Sequence, residues 1–206
     1  MKKLTFLLIS IVSGMSIGTA QSIIYLDVGP VKPVKSLGLV LKPTTEFKAS
    51  WIMNYEYNFT GTVHIGYFKG KTLHDTLQTW GYGSNFNNIN GKRFYPGTQI
   101  YTKFNSIALG IGGVYRLTMN PLRPFIMADF NIQAFIFDLE EHIPGLTGSN
   151  YSGDSGGLTG FLGLGVEYET KGSLILRSYL GRNYTILSEV GAAYYTFKIG
   201  AGYIFY

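Results

Sequence analysis

The sequence predicts an all-β fold, a closed eight-stranded antiparallel up-and-down barrel, and three observations carry that reading. First, residues 192–206 alternate. Tyr195, Phe197, Ile199, Ala201, Tyr203 and Phe205 share one phase; Tyr194, Thr196, Lys198, Gly200, Gly202 and Tyr206 share the other, with Ile204 the one aliphatic among them. A period of two marks a strand with unlike faces. Soluble strands run to about 5–6 residues, and a longer aromatic one is an aggregation edge unless a barrel closes on it. Second, seven more alternating stretches precede it, joined by connections that are in turn long and short. Third, only 14 % of residues are charged, against the roughly 25 % of ordinary soluble domains. Aromatics reach 16 % and glycines number 27.

Residues 1–20 have the three parts of a cleaved signal peptide. Lys2 and Lys3 are the charged region, residues 4–12 the apolar core, and Gly18-Thr19-Ala20 the small-residue cleavage site. The mature domain is then 21–206. The first strand is 23–30, with Ile24, Leu26 and Val28 against Tyr25, Asp27 and Gly29. Residues 31–44 read as a loop because prolines 30, 33 and 43 punctuate them. The second strand, 45–57, sets Phe47, Ala49, Trp51, Met53, Tyr55 and Tyr57 against Glu46, Lys48, Ser50, Ile52, Asn54 and Glu56. A turn at 58–61 leads into strand three, 62–68, with Val63, Ile65 and Tyr67 on its apolar side. Residues 69–105 are polar and aromatic, and Asn90-Gly91 is a strong hairpin signal. They predict a protruding hairpin that prolongs strands three and four. Strand four is 106–118, and a turn at 119–124 precedes strand five, 125–138. Residues 139–157 read as a Gly- and Ser-rich loop. Strands six and seven, 158–170 and 174–184, form a hairpin around Lys171-Gly172-Ser173, and a loop at 185–191 leads to the terminal strand.

The charges choose a side. Asp27, Glu46, Lys48, Glu56, Arg116, Asp129, Glu167, Glu169, Arg177 and Lys198 lie in the polar phase; only Asp138 and Arg182 do not, and both sit toward the long-loop end. A soluble barrel has a wet, charged outer face and an apolar interior. Here the apolar face is free of charge over its middle. A basic residue on a lipid face costs about 2–4 kcal/mol at the midplane and little near the interface. The apolar face therefore meets lipid. An eight-stranded interior is filled by side chains, and hairpin counting predicts lumen charge pairs Glu56–His64, Arg116–Asp129 and Glu167–Arg177. They read as a plug, with a proton or ion path as the alternative.

Strands two, four, six and eight also share a repeat. Tyr57, Tyr115, Tyr168 and Tyr203 fall in the apolar phase near the short turns, and in the last three a glycine (Gly112, Gly165, Gly200) stands three residues earlier. Outward tyrosines at one level make an aromatic girdle at a membrane interface.

Lys198, Gly200, Tyr203 and Phe205 also fit the polar–x–Gly–x–x–aromatic–x–aromatic signal of the last strand of bacterial outer-membrane barrels. With the leader and eight alternating strands, the mature chain resembles the small eight-stranded outer-membrane proteins, including the OmpX, OmpW and PorT-like groups. Among these its Tyr- and Gly-rich strands more resemble the PorT-like barrels of Bacteroidota. The resemblance implies a Gram-negative outer membrane, insertion by the outer-membrane assembly machinery, and contact with outer-membrane lipid and lipopolysaccharide.

Other chemistry finds little footing. With no Cys, disulfides and thiolate metal sites are excluded, and His64, His74 and His142 lack metal spacing. No metal or cofactor is expected. The charge of +5 falls to +3 without Lys2 and Lys3 (15 basic against 12 acidic residues), too mild and scattered for nucleic acid. Gly153-Asp154-Ser155-Gly156-Gly157 matches G-x-S-x-G but lacks the strand–turn–helix setting of a hydrolase. His74, Asp75 and Ser84 would serve a lipid A-modifying enzyme only with a geometry their spacing does not supply. The long excursion offers Trp80, Tyr82, Phe86, Phe94 and Tyr95 as candidate contacts for a surface partner, since loops of this length are often functional. The expected protein is a monomeric, non-enzymatic outer-membrane barrel with an envelope-structural or surface-interaction role. A narrow channel for a small or apolar solute is the alternative, and a lipid A-modifying enzyme the more remote one.

Overall fold

The computed structural model describes residues 21–34, 37–38, 41–72, 77–84, 92–142, 149–188 and 193–205; the expected signal peptide, 1–20, lies outside them. Eleven strands are described: β1 (Ser22–Val34), β2 (Leu41–Lys42), β3 (Thr44–Met53), β4 (Phe59–Lys69), β5 (Lys71–Thr72), β6 (Leu77–Ser84), β7 (Lys92–Arg116), β8 (Leu122–His142), β9 (Ser149–Glu169), β10 (Leu174–Ser188) and β11 (Ala193–Phe205). Eight of them close a barrel. β4, β3, β1, β11, β10, β9, β8 and β7 are neighbours in that order, and β4 pairs with β7 to complete the ring. All these pairings are antiparallel. β6 takes over from β4 as the partner of β7 higher up, from Leu77↔Gln99 to Ser84↔Lys92. β6 and β7 are therefore paired as the expected hairpin requires; Asn90-Gly91 lies outside the described residues.

The sidedness is as the alternation requires. Leu26, Phe47, Ile111, Phe130, Leu164, Leu180 and Ile199 point outward and are exposed, whereas Asp27, Lys48, Arg116, Asp129, Glu167, Arg177 and Lys198 are buried inside. Two apolar clusters also occupy the interior. One, near the short turns, gathers Ile23, Ile52, Val114, Phe125, Ile175 and Ile204. The other, toward the long connections, gathers Val31, Leu37, Leu41, Phe68, Phe104 and Phe135. Between them lies a layer of charge.

Several boundaries differ from the sequence reading. β1 runs on through Pro30 and Pro33 to Val34. The ladder to β11 skips Gly29 and Pro30, and the Thr196 hydroxyl donates to the Pro30 carbonyl at 3.0 Å. At Pro33 the ladder to β3 has already ended, at Val31↔Thr44; a proline is tolerated on such an edge. β3 stops at Met53 because Asn54 takes the left-handed conformation, φ 57°. The turn it begins swings Tyr55 into the lumen and leaves Glu56 exposed. The expected loop 139–157 is largely strand, since β8 reaches His142 and β9 begins at Ser149. Residues 149–157 are mostly Ser, Gly, Asn and Asp, so the ladder continues without an apolar alternation to announce it.

Candidate functional site in the barrel lumen

Among the described residues the lumen holds five acid–base pairs. Nearest the short turns, Arg123 contacts Glu169 and the Tyr55 hydroxyl, and its Nε donates to the Asn120 carbonyl at 2.8 Å. Above it, Arg116 Nε donates to Glu167 Oε2 at 2.7 Å and its Nη1 to Thr60 Oγ1 at 3.0 Å. The Tyr25 hydroxyl donates to the other Glu167 oxygen at 3.0 Å. The Arg116 guanidinium lies 4.3 Å from the centre of the Tyr55 ring, a geometry in which the ring's negative face adds attraction. Arg177 Nε donates to Asp27 Oδ1 at 2.7 Å, a second guanidinium nitrogen bonds Asp27 Oδ2, and the Tyr25 ring lies 3.7 Å away.

Farther toward the long connections the cations are lysines. Lys48 Nζ donates to Asp129 Oδ2 at 2.8 Å, and Lys198 pairs with Glu46 at 2.9 Å. His64 Nε2 lies 2.6 Å from Asn131 Oδ1. Beside these groups is a cavity of about 20 Å³, lined among others by Glu46, His64, Asn183, Tyr194 and Lys198. Glu46 Oε2, His64 Nδ1 and Asn183 Oδ1 have no hydrogen-bond partner among the described residues. A polar space of this size accommodates a water molecule.

Five of the six residues expected in lumen charge pairs are inside, but none has the partner that hairpin counting assigned. Glu56 is exposed in the turn, and His64 instead meets Asn131. Arg116 takes Glu167 rather than Asp129; Arg177 takes Asp27 rather than Glu167. The reason is geometric. Inward side chains converge on the barrel axis, so residues two strands apart meet: Arg116 reaches Glu167 past Arg123 and Phe125 on β8, and elsewhere a glycine stands on the strand between. Asp27 and Arg177 both stand in register with Gly200, and a Cβ there would lie 2.0 Å from Asp27 Oδ1. His64 and Asn131 close over Gly110, and Thr62 bonds Asp129 over Gly112. Gly112 and Gly200 are glycines of the tyrosine repeat. Their recurrence in the polar phase was the available signal for these pairings.

The remaining expected residues are dispersed. Tyr115, Tyr168 and Tyr203 are outward and exposed on their strands, whereas Tyr57, also exposed, lies in the turn beyond Met53 rather than on the expected strand. In the terminal strand Lys198 is buried, while Tyr203 and Phe205 are outward with ring centroids 5.1 Å apart. Trp80 and Tyr82 fall on β6, Phe94 and Tyr95 on β7, with Tyr82↔Phe94 a register pair. Phe86, His74 and Asp75 lie outside the described residues; Ser84 ends β6 and His142 ends β8. The Gly153–Gly157 segment is a β9 ladder paired to β8, not an elbow. No group of His, Asp and Glu with metal-binding spacing occurs among the described residues.

No protein-family model and no curated protein matches the sequence. Among solved structures, the chain is similar to Neisserial surface protein A (NspA), with TM-score 0.60 and 15 % identity over 88 % of this chain and 96 % of that one. It is also similar to the N-terminal β-barrel domain of OprF from Pseudomonas aeruginosa, with TM-score 0.50 and 12 % identity over 90 % and 97 % of the two chains. At such identities the likeness is one of architecture. The chain has the fold of the eight-stranded bacterial outer-membrane β-barrels.

Proposed function

We propose that the protein is a non-catalytic barrel of a Gram-negative outer membrane that works through the sheet it raises above the bilayer. The carrying observation is the contrast between a closed lumen and an overgrown wall. Among the described residues charge fills the middle of the lumen and apolar clusters flank it on both sides, a filling that would obstruct a solute. By contrast β7, β8 and β9 run to 25, 21 and 21 residues while β1 and β11 have 13 each. One side of the barrel thus extends past the belt as a sheet with β6 on its edge.

That sheet carries Trp80, Tyr82, Phe94 and Tyr95, and aromatic residues are enriched where proteins bind one another. On this reading residues 1–20 direct export, the terminal strand with Lys198, Gly200, Tyr203 and Phe205 is read by the insertion machinery, and the four exposed tyrosines anchor the inner interface. On the same reading the Tyr- and Gly-rich strands support a kinship with the PorT-like barrels of Bacteroidota.

Planar-bilayer recording and surface crosslinking test the two halves. Refolded protein should give a flat current baseline, and photo-crosslinkers at Tyr82 or Tyr95 should capture a discrete partner on intact cells. Steady unitary conductance would overturn the closed lumen. Crosslinking no stronger than from Lys171, at the opposite end, would overturn the surface role.

A further inference from the structure

Three adjacent strands, β1, β11 and β10, carry two outward cations about one ring. Lys32 and Arg182 are both in register with Tyr195, one on either side. Two strand spacings separate them, about 10 Å, which long side chains bridge to a shared ligand. Arg182 is held over two rings, 4.8 Å from the centre of Tyr184 and 5.1 Å from that of Tyr195. Its Nε is buried with no hydrogen-bond partner. Neither cation has a carboxylate partner among the described residues, whereas the outward Lys103 is paired with Asp138 at 2.9 Å. An arginine on a lipid-facing surface is costly unless its head reaches the interface or meets an opposite charge.

The same three strands are grooved below this row. Some four to six residues nearer the short turns, the small side chains of Ser178 and Ala201 lie between Leu26, Val28, Leu176 and Ile199, leaving a groove of about 530 Å³ on the outer surface. An apolar groove one row of outward side chains, Phe197 and Leu180 among them, below a pair of unpaired cations matches one kind of ligand, an anionic head on a hydrocarbon tail.

We propose that this face binds one phosphate-bearing acyl lipid of the surrounding bilayer, its phosphate between Lys32 and Arg182 and an acyl chain in the groove over Ser178 and Ala201. The site rests on the reading of the barrel as membrane-spanning. Arg182 presents a planar fork suited to phosphate oxygens, Lys32 supplies a point charge, and Tyr184 and Tyr195 fix the fork in place.

The test is native mass spectrometry of the full chain released from nanodiscs of phosphatidylcholine with a minor fraction of phosphatidic acid. The protein should retain one phosphatidic acid. Changing Lys32→Gln together with Arg182→Gln should lower retention about tenfold or more, as expected for loss of charge-assisted contacts. Removing charge from the lipid face favours insertion, so this variant should fold. Ser178→Leu should also lower retention with both cations intact, and Lys171→Gln should not. Unchanged retention in the double variant, equal retention of phosphatidylcholine, or displacement by inorganic phosphate alone would each overturn the site. Release of paired copies with a lipid-free groove would assign the face to self-contact and overturn it too. A chain that never enters the nanodisc would bring down the membrane reading and this site with it.

Discussion

The two halves of the charged lumen use the same chemistry differently. Toward the short turns the cations are arginines, and each carboxylate oxygen of Glu167 and Asp27 has a donor. Toward the long connections the cations are lysines, Glu46 keeps one oxygen without a protein partner, and a small cavity adjoins the pair. A guanidinium is planar, forks onto both oxygens and stacks on rings; an ammonium is a compact charge with three donors to place. The first suits a dry, fully packed layer. The second suits a layer that shares its bonds with water. The arginine layer is therefore the lock of the barrel, and the lysine layer is the part able to relax.

The largest expected effect tests the lock. Arg177→Ala strands Asp27 in a buried site, and breaking one partner of such a pair typically costs about 3–5 kcal/mol. Asp27→Asn in the same chain should restore part of that, whereas Glu167→Gln should restore none, because Glu167 is held by Arg116. Urea unfolding from lipid vesicles reads both. Rescue by Glu167→Gln would return the pairing to the adjacent hairpin and remove the distinction between the layers.

Next comes the spacer beneath the same pair. A Cβ at Gly200 would meet Asp27 Oδ1 at 2.0 Å and the Leu26 carbonyl at 2.8 Å. The second contact is backbone and yields little, so Gly200→Ala should destabilise by about 1–3 kcal/mol, the usual range for overpacking. Gly172→Ala, in a turn with open space around it, is the matched control. Equal stability of the two variants would mean that the pair does not need its glycine.

The lysine layer should respond more weakly. Glu46→Gln leaves Lys198 beside a cavity that admits water, so the expected cost is about 1 kcal/mol, near that of one ordinary hydrogen bond. Loss equal to that of Arg177→Ala in the same unfolding assay would erase the contrast.

What the sequence made legible follows the solvent. Where one face meets lipid and the other a crowded lumen, alternation is strict, and Leu26, Phe130 and Ile199 can be assigned a side from sequence alone. Residues 149–157 are mostly small and polar, so their strand character left no periodic trace, and Pro30 and Pro33 masked a β1 whose faces still alternate to its end. The ion pairs were half legible. Polar phase put Asp27, Arg116 and Glu167 inside, but register names only adjacent neighbours, and these side chains reach past a strand. Tyr55 was misplaced because a single left-handed residue, Asn54, changes the phase after it.

The smallest expected effect lies outside the lumen altogether and sets a baseline for the rest. Asp138 stands on the wall above the belt, where Lys103 Nζ donates to Oδ2 at 2.9 Å and Ser152 Oγ to Oδ1 at 2.9 Å. The bond from Lys103 first, and that from Ser152 next, hold its carboxyl below the ordinary carboxylate value of 3.8. A carboxylate depressed on folding stabilises the fold above its unfolded pKa, and that share is lost as pH falls through the lower folded value. Asp138→Asn should therefore lower the melting temperature slightly at neutral pH, and the gap to the parent should close as pH is taken below 3.8. A solvent-exposed pair contributes little and is screened by salt, so the neutral-pH gap should shrink further in concentrated salt. The Arg177–Asp27 pair, buried on both sides, should keep its effect there. A salt-insensitive gap at Asp138, or a salt-sensitive loss in Arg177→Ala, would show that burial is not what separates the two.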